Sequence, residues 1–390
     1  MFALDLRETL PADGLAGALV ARIWSPAAGG PCVAALRTEG VVDVTGHFAT
    51  VRDLAELADP AAALRKAGGP VIGQLADILA NTPPDGRDPG RPWCLAPVDL
   101  QAVKAAGVTF AVSMLERVIE ERARGNPAAA VTLRTEIGKL IGNDLSKLKP
   151  GSAEAMRLKD VLIAQGAWSQ YLEVGIGPDA EIFTKASPMA AVGTGAEAGL
   201  HPVSTWNNPE PEVVLVVASD GRIVGATLGN DVNLRDVEGR SALLLGKAKD
   251  NNASAAIGPF VRLFDATFSL DDVRSTVVSL TVKGEDGFML EGSSSLAQIS
   301  RDPADLVSQM IGSHHQYPDG AVLYLGTMFA PVKDRDTVGG GFTHKIGDIV
   351  TVHAPKLGSL VNRMQFSTVC PPWTYGASHL LRNLASRGLL

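Results

Sequence analysis

The sequence predicts an α+β, β-rich protein with one large domain and one smaller domain. The chain has 390 residues, of which 46% are hydrophobic and 20% charged, so it can bury a sizeable core. Short apolar runs separated by turn residues fill its second half, which is typical of a β-rich roll or sandwich. Helix-favouring residues at helical spacing are concentrated near the middle of the chain.

Composition and charge disfavour several classes of protein. Lys plus Arg total 35 against 42 for Asp plus Glu, and the net charge of −7 disfavours a general nucleic-acid binder. No segment has the roughly 20 apolar residues of a membrane helix, and MFALDLRETL lacks the apolar core of a signal peptide. Cys32, Cys94 and Cys370 lie too far apart for a zinc or iron–sulfur motif. We therefore expect a cytoplasmic protein without nucleic-acid or membrane partners.

Residues 1–94 are predicted to form a small N-terminal α+β domain. The apolar runs GALVARIW and CVAALRTEGVVDV predict strands, and VRDLAELADPAAALRKAG predicts one helix. The segment that follows, NTPPDGRDPGRPW, is dense in Pro, Gly and Asp, as loops and domain boundaries are. This part of the chain contains no residues that indicate chemistry.

Residues 95–390 are predicted to form the larger domain, with a helical insertion at about 112–172. Leu115, Val118 and Ile119 have helical spacing, and we expect two or three helices, broken near 125–127 and 149–151. After residue 175 the pattern changes to short strands. These strands are EVVLVVAS, RIVGATLG, RSTVVSLTV, FMLEGSS, AVLYLGTMFA and DIVTVHAP.

Three carboxylates are predicted to converge at the end of one β-hairpin. Glu210 and Glu212 are two residues apart at the start of an apolar strand, so their side chains lie on one face. The chain turns at 219–221 and returns antiparallel, which brings Asp231 close to both. Three converging carboxylates repel one another, and a hard divalent cation would relieve the repulsion. Oxygen ligands suit magnesium, manganese or calcium better than zinc.

The spacing of these carboxylates leaves a second interpretation open. A Glu-x-Glu pair at the start of a strand is common on a solvated face. The sequence Gly229-Asn230-Asp231 is also compatible with ordinary turn chemistry. From spacing alone, a solvated face is the more frequent case.

Two other local patterns do not predict a site. The segment GTGAEAG at 193–199 resembles a loose dinucleotide fingerprint, but His201-Pro202 follows where a helix would have to begin. His314 and His315 are adjacent, so on a strand they would point to opposite faces, which makes them a poor pair for one metal ion.

Several separated segments resemble the fumarylacetoacetate hydrolase family. They are GATLGNDVNLRD, GKAKDNNASAAIGPF, LAPVD, GVTF, EIFTKA, LGTMFAP and FTHKIGDIV, and they extend over about 95–385. Within the family, AAGVTFAVSMLERVIEERARG, WNNPEPEVVL and HQYPDG are most similar to the dehydratases of 2-keto-3-deoxypentonates. The resemblance implies a mixed β-roll or sandwich catalytic domain at 95–390, with the helical insertion and a small N-terminal domain. It also implies a homo-oligomer, at least a dimer.

The resemblance implies roles for individual residues. Glu210, Glu212 and Asp231 would be metal ligands, and Lys249 would reach the metal-bound substrate. Glu181 is the candidate proton-transfer carboxylate. Further candidates are Arg117 for the anionic end of the substrate, Thr327 for its carboxylate, and His315 for acid catalysis. An ordinary ion pair between Glu181 and Arg117, and a core position for His315, are the structural alternatives.

One departure from the family pattern concerns the choice of reaction. The hydrolases carry a G-x-N-Y-x-x-H segment whose histidine activates water for carbon–carbon cleavage. Here the segment runs from Gly107 to Ser113, and Ser113 stands at the place of the histidine. A lone serine is a poor base near neutral pH. Dehydration is therefore favoured over hydrolysis.

The resemblance, together with Ser113 at the place of the histidine, implies a hydro-lyase that acts on a small 2-keto acid. The expected reaction converts 2-keto-3-deoxy-D-pentonate (xylonate or arabinonate series) to 2,5-dioxopentanoate in non-phosphorylative pentose catabolism. The expected cofactor is Mg²⁺, with Mn²⁺ or Ca²⁺ as alternatives. A carbon–carbon hydrolase or decarboxylase of a diketo acid, or an inert ligand-binding relative, remains the alternative.

Overall fold

The computed structural model describes the chain except residues 1, 125, 127–128, 131–147, 165, 167, 330, 332 and 337–340. The described part has a mixed α+β fold in which two open sheets dominate. The predicted fold class is therefore confirmed.

The strands follow the chain in two sheets. They are β1 (Leu19–Ser25), β2 (Gly30–Arg37), β3 (Gly40–Asp43), β4 (Val71–Gly73), β5 (Trp93–Cys94), β6 (Ala102–Gly107), β7 (Glu181–Ala186), β8 (Glu197–Leu200), β9 (Pro211–Val217), β10 (Ile223–Asp231), β11 (Ala255–Leu263), β12 (Val277–Lys283), β13 (Met289–Ser295), β14 (Ala321–Tyr324), β15 (Ile349–Ala354) and β16 (Gly358–Phe366). The larger sheet has the order β4-β3-β2-β1-β11-β10-β9-β14-β6-β7, with β5 paired to β1. The smaller sheet has the order β13-β12-β15-β16-β8.

The N-terminal strands extend the larger sheet. β1 pairs antiparallel with β11, and Leu19 lies opposite Arg262. Strands β1 to β5 therefore form one end of the sheet whose other strands come from 95–390. The division of the chain at 94 and 95 into two domains stays a prediction.

The helices whose bounds the structure describes have 4 to 12 residues. They are α1 (Leu6–Thr9), α2 (Val51–Ala55), α3 (Pro60–Lys66), α4 (Leu75–Ala80), α5 (Ala111–Arg122), α6 (Ala153–Ala164), α7 (Gln170–Ile176), α8 (Arg235–Glu238), α9 (Leu245–Lys249), α10 (Leu270–Ser275), α11 (Pro303–Met310) and α12 (Ala377–Ser386). Single 3₁₀ turns lie at Pro26–Ala28, Ala242–Leu244 and Leu296–Gln298. Within the described residues, none of these helices has the length and hydropathy that a membrane span requires.

The helix predicted over 51–68 is two helices, α2 and α3. The side chain of Asp59 accepts a hydrogen bond from the Ala62 amide, and Pro60 is the first residue of α3. An Asp cap followed by Pro begins a new helix. The apolar residues therefore keep their helical spacing through 51–68, although the chain forms two separate helices there. The helices predicted in 112–172 include α5, α6 and α7. The predicted break at 125–127 lies largely outside the described residues.

The middle of the larger sheet is buried on both faces. All seven residues of β9 are buried. Val213, Leu215 and Val217 pack into one apolar cluster, whereas Val214 and Val216 pack into another on the opposite face. A strand covered on both faces shows a continuous apolar run rather than alternation. Glu212 at the start of β9, and Glu210 one residue before the strand, are therefore buried within the protein.

Candidate active site

Pairing of β9 with β10 brings three carboxylates together. The strands are antiparallel, Glu212 lies opposite Gly229, and the Asp231 amide donates to the Glu210 carbonyl over 3.0 Å. Glu210, Glu212 and Asp231 are all buried, and each offers one oxygen within 4.8 Å of the other two. The convergence follows the hairpin geometry that the sequence predicts.

Burial and neighbouring carboxylates both raise the pKa of Glu212. Burial raises its pKa well above the ordinary value, and the neighbouring carboxylates of Asp231 and Glu210 raise it further. Its Oε2 accepts a 2.6 Å hydrogen bond from the amide of Gly326. Burial also acts to raise the pKa of Asp231, but Lys185 and Lys249 outweigh burial and the pKa is lowered. This cluster of buried oxygen donors fits a hard divalent cation, because the cation would relieve the repulsion at Glu212.

Lys249, the last residue of α9, contacts two of the three carboxylates. Its Nζ lies 2.7 Å from Glu210 Oε2 and 3.0 Å from Asp231 Oδ2. Burial acts to lower the pKa of Lys249, but Asp231, Glu210 and Glu238 outweigh it, so the pKa is raised. The ammonium group is therefore positively charged and lies against the same oxygens that a cation would use.

A second buried lysine supports Asp231. Lys185 in β7 has 0% side-chain exposure, and its Nζ lies 2.8 Å from Asp231 Oδ1. The same ammonium group donates to the carbonyls of Val232 and Lys249. This role of Lys185 was not predicted from the sequence, although alternation along β7 places Lys185 on the face of Glu181 and Phe183. Both of those residues line the site.

Arg117 in α5 joins the carboxylates to a wider ionic network. Its Nη2 donates a hydrogen bond to Glu210 Oε1, and its Nη1 lies 2.8 Å from Glu120 and 3.2 Å from Glu238. Burial acts to lower its pKa, but these acids outweigh burial and the pKa is raised. Glu120 also accepts from Arg235 over 2.6 Å. Glu120, Glu238 and Arg235 were not predicted, because helices far apart in sequence bring them together.

A small cavity lies among these groups. Its volume is about 20 Å³, which is room for about one water-sized sphere. Its lining includes every predicted site residue except His315: Ser113, Arg117, Glu181, Glu210, Glu212, Asp231, Lys249 and Thr327. In this conformation the cavity can hold an ion but not a sugar acid.

Glu181, the first residue of β7, also lines this cavity. Burial raises its pKa to about 7, with Glu238 adding to the increase. A side chain at Gly107 would collide with this carboxylate, so the glycine allows Glu181 to lie against the backbone. A carboxyl group with this pKa changes protonation near neutral pH, as a proton-transfer group must.

The two hydroxyl groups of the site have backbone partners. The hydroxyl of Ser113 donates to the Phe110 carbonyl over 3.0 Å. Thr327 Oγ1 accepts from the amide of Phe329 over 3.1 Å. His315 lies elsewhere, in an exposed turn that lines a separate cavity with His314 and Asp179. The structure therefore does not bring His315 to the carboxylates.

A protein-family model identifies the region that carries these residues. The model of the fumarylacetoacetate (FAA) hydrolase C-terminal domain matches residues 177–365. The chain contains a fumarylacetoacetate hydrolase domain. The predicted resemblance is therefore confirmed. The matched range includes the three carboxylates with Glu181, Lys249 and Thr327, whereas Ser113 and Arg117 precede the fumarylacetoacetate hydrolase domain.

Two curated proteins are similar to part of the chain. The 2-dehydro-3-deoxy-D-arabinonate dehydratase of Saccharolobus solfataricus is 31% identical over 184 residues, which are 46% of this chain and 57% of that protein. A Haloferax volcanii protein named "Probable 2-keto-3-deoxyxylonate dehydratase" is 30% identical over 192 residues, which are 49% of this chain and 62% of that protein. The chain thus spans about three fifths of the length of these relatives.

The fold is shared with a solved dehydratase structure. A 2-keto-3-deoxy-D-arabinonate dehydratase complexed with magnesium and 2,5-dioxopentanoate matches with a TM-score of 0.61 at 20% identity. The match covers 89% of this chain and 99% of the other. It extends beyond the fumarylacetoacetate hydrolase domain and shows a common fold.

Proposed function

We propose that this protein is a magnesium-dependent hydro-lyase that converts 2-keto-3-deoxy-D-pentonate to 2,5-dioxopentanoate. The observation that carries the proposal is the buried cluster of Glu210, Glu212 and Asp231, contacted by Lys249 and flanked by Glu181. The names of the curated relatives and of the matched structure support this substrate class.

Glu210, Glu212 and Asp231 would hold the cation, which is Mg²⁺ in the proposal, with Mn²⁺ or Ca²⁺ as alternatives. When bound, such a cation supplies Lewis-acid polarisation of the 2-keto group. The protein supplies the oxygen donors and keeps them buried and mutually close. Lys185 keeps Asp231 charged and in place, because its ammonium group contacts Oδ1 from the other side.

Glu181 is the proposed base at carbon 3. Its pKa of about 7 leaves a substantial deprotonated fraction near neutral pH. In the proposed reaction Glu181 takes one proton from carbon 3, and the carbon 4 hydroxyl leaves with a proton as water. The resulting 3,4-double bond then moves by tautomerisation. The CH2OH group of carbon 5 loses one hydrogen from carbon and one from oxygen to become the aldehyde, and carbons 3 and 4 each gain one hydrogen.

Arg117 and Lys249 are the proposed partners of the anionic substrate. Both cations contact Glu210, so in this conformation their charges are used by the protein's own acids. A metal ion at the carboxylates would replace Arg117 and Lys249 as the partner of Glu210. The substrate anion would then be a new partner for both side chains. Because the cavity measures about 20 Å³, we expect both side chains to move when substrate binds. Thr327 remains the proposed hydrogen-bond partner of the substrate carboxylate.

The geometry around Ser113 supports dehydration over carbon–carbon hydrolysis. The hydroxyl donates to a backbone carbonyl, and a hydroxyl needs an adjacent base before it can activate water. Hydrolytic cleavage therefore has no base at this position. Two further proposals come from the sequence. One is a cytoplasmic location. The other is a homo-oligomer of at least two copies, which light scattering tests.

A proton NMR time course tests the proposed function. Metal-free protein is mixed with 2-keto-3-deoxy-D-pentonate, and Mg²⁺, Mn²⁺ or Ca²⁺ is then added. We expect the aldehyde signal of 2,5-dioxopentanoate to rise only after metal addition. Unchanged substrate with all three cations would contradict the proposal.

A further inference from the structure

A second cavity lies between the N-terminal strands and the chain segment 371–375. Its volume is about 240 Å³, and it shares no lining residue with the carboxylate cavity. An apolar cavity of about 150 Å³ can hold benzene, so this space admits a substituted aromatic ring. Nothing in the proposed reaction uses it.

Aromatic side chains form one side of this cavity. Trp24 in β1 lies opposite Trp93 in β5, and their rings stack with centroids 5.5 Å apart. Tyr375 meets Trp24 edge-on at 5.2 Å. The guanidinium of Arg87 lies 5.0 Å from the centre of the Trp93 ring. These side chains offer ring edges to a planar ligand, because ring faces of the two indoles already contact each other and Arg87.

Arg22 brings a buried positive charge to the same cavity. It is 6% exposed and stands two residues before Trp24 in β1, on the same face of the strand. Its side-chain contacts in the described residues are the Val98 carbonyl at 3.4 Å and the Met189 sulfur at 3.2 Å. The bond to the carbonyl is long, and a thioether sulfur is a weak acceptor for a guanidinium that carries five donors. A buried cation in such surroundings is costly unless an anion joins it.

The two acids near Arg22 have other hydrogen-bond or ion-pair partners. Asp99 acts on Arg22 electrostatically, but its carboxylate accepts hydrogen bonds from the amides of Val51, Arg52 and Leu100. Glu197 also lines the cavity, and its carboxylate is paired with Arg363 over 2.6 Å. Within the part of the chain that the structure describes, no acid lies within ion-pair distance of Arg22.

Tyr375 adds an unused hydroxyl. The group is buried and has no hydrogen-bond partner among the described residues. Tyr375 and Arg22 both line this cavity. A carboxylate placed between them would accept from both.

We propose that this cavity, defined by Arg22, Trp24, Trp93 and Tyr375, is a second binding site that takes a small aromatic carboxylate. The ring would pack against the indoles, and the carboxylate would accept hydrogen bonds from the Arg22 guanidinium and the Tyr375 hydroxyl. The site is separate from the carboxylate cluster, so its ligand is not the substrate of the proposed reaction.

Calorimetric titration of the full chain with benzoate tests this site. We expect saturable binding of one benzoate per chain. Benzamide keeps the ring and shape but lacks the charge, and it should bind at least about tenfold more weakly. Acetate keeps the charge but lacks the ring and should show no saturable binding.

Variants then assign the binding to named groups. Arg22→Met should weaken benzoate binding at least about tenfold, while Mg²⁺ affinity is unchanged. Tyr375→Phe removes only one hydroxyl and should weaken binding about threefold to tenfold, which keeps the test open if Arg22→Met does not fold. Arg91→Met, at an exposed position beside β5, is the matched control and should bind benzoate as the wild type does.

Three results would overturn the proposal. They are equal affinity for benzoate and benzamide, unchanged benzoate affinity in both site variants, and no saturation at millimolar benzoate.

Discussion

The Nζ atom of Lys249 lies 2.7 Å from Oε2 of Glu210, so the lysine is bound to one of the oxygens proposed for the cation. The same ammonium group contacts Asp231 at 3.0 Å. Lysine and metal ion would therefore compete for two of the three carboxylates. Removing the lysine should therefore affect metal binding and turnover in different ways.

Replacing Lys249 by Met should separate these two roles. The substitution removes a cation that occupies the ligand oxygens, so Mg²⁺ affinity should be equal to or higher than that of the wild type. Turnover should fall about 100-fold or more, because electrostatic stabilisation of the reacting substrate is lost. Calorimetry measures the affinity, and a product assay measures kcat.

The matched control for this variant is Lys247→Met. Lys247 lies on the same short helix, α9, and is exposed. Its replacement should leave both affinity and turnover unchanged. Wild-type turnover in Lys249→Met would contradict the proposed role of the lysine.

Replacing Glu212 by Gln tests the carboxylate cluster. The side chain keeps its shape but loses its charge, so Mg²⁺ affinity should fall more than about tenfold. Because burial and its acidic neighbours already disfavour the charged form of Glu212, the metal-free variant should be at least as stable as the wild type. Calorimetry with Mg²⁺ and thermal unfolding in a chelator measure these two properties. Full metal affinity together with full turnover would show that the cluster is assigned wrongly.

Replacing Lys185 by Met should mainly affect stability. Lys185 is fully buried and paired with Asp231, and removing one partner of a buried ion pair costs about 3 kcal/mol. Urea unfolding should show this decrease in the free energy of unfolding, and Mg²⁺ affinity should fall because Asp231 loses its support. Lys104→Met, in the neighbouring strand β6, is the control and should lie within about 0.5 kcal/mol of the wild type. A free energy of unfolding equal to that of the control would contradict a structural role for Lys185.

Replacing Glu181 by Gln tests the proposed base. The variant should bind substrate and Mg²⁺ but exchange the carbon 3 protons with solvent deuterium about 100-fold more slowly, or slower still. In the metal-free wild type, the deprotonated fraction of Glu181 should rise with pH through its pKa of about 7. Bound Mg²⁺ would lower that pKa, so the exchange rate of the holoenzyme should reach its plateau at a lower pH. Proton exchange at the wild-type rate in the variant would shift the assignment to another group.

The same carboxyl group should affect stability in a pH-dependent way. Its pKa rises from 4.5 to about 7 on folding, so the folded state binds the proton more tightly between these values. This stabilisation is fully present below pH 4.5 and is lost as the pH rises through 7. Metal-free wild type should therefore lose stability relative to Glu181→Gln over this interval. Urea unfolding at several pH values measures the difference, and parallel curves would contradict the raised pKa.

The fold class could be predicted because its signals are local. Short apolar runs such as EVVLVVAS mark the buried strand β9, and turn residues separate it from β10. The pairing of β1 with β11 could not be predicted, because it joins residues more than 200 positions apart. The split between α2 and α3 was missed, although Asp59-Pro60 carries a recognisable signal for the start of a helix.

The site was predictable where residues lie on one hairpin. Glu210, Glu212 and Asp231 are brought together by two adjacent strands and one turn, so spacing alone places them close. Lys249 and Glu181 entered through the family resemblance. Glu238 and Arg235 were missed, because they come from α8 and meet α5 only through tertiary packing. No local pattern reports such a contact.

The mass of the product formed from 2-keto-3-deoxy-D-pentonate with Mg²⁺ tests the central claim most directly. Dehydration predicts a single product lighter by one water, and this product should be absent when the metal is chelated. Cleavage into two smaller acids, or loss of carbon dioxide, would contradict the proposed function and support the hydrolase or decarboxylase alternative. Recovery of intact substrate with active-site metal bound would contradict an enzymatic role on this substrate.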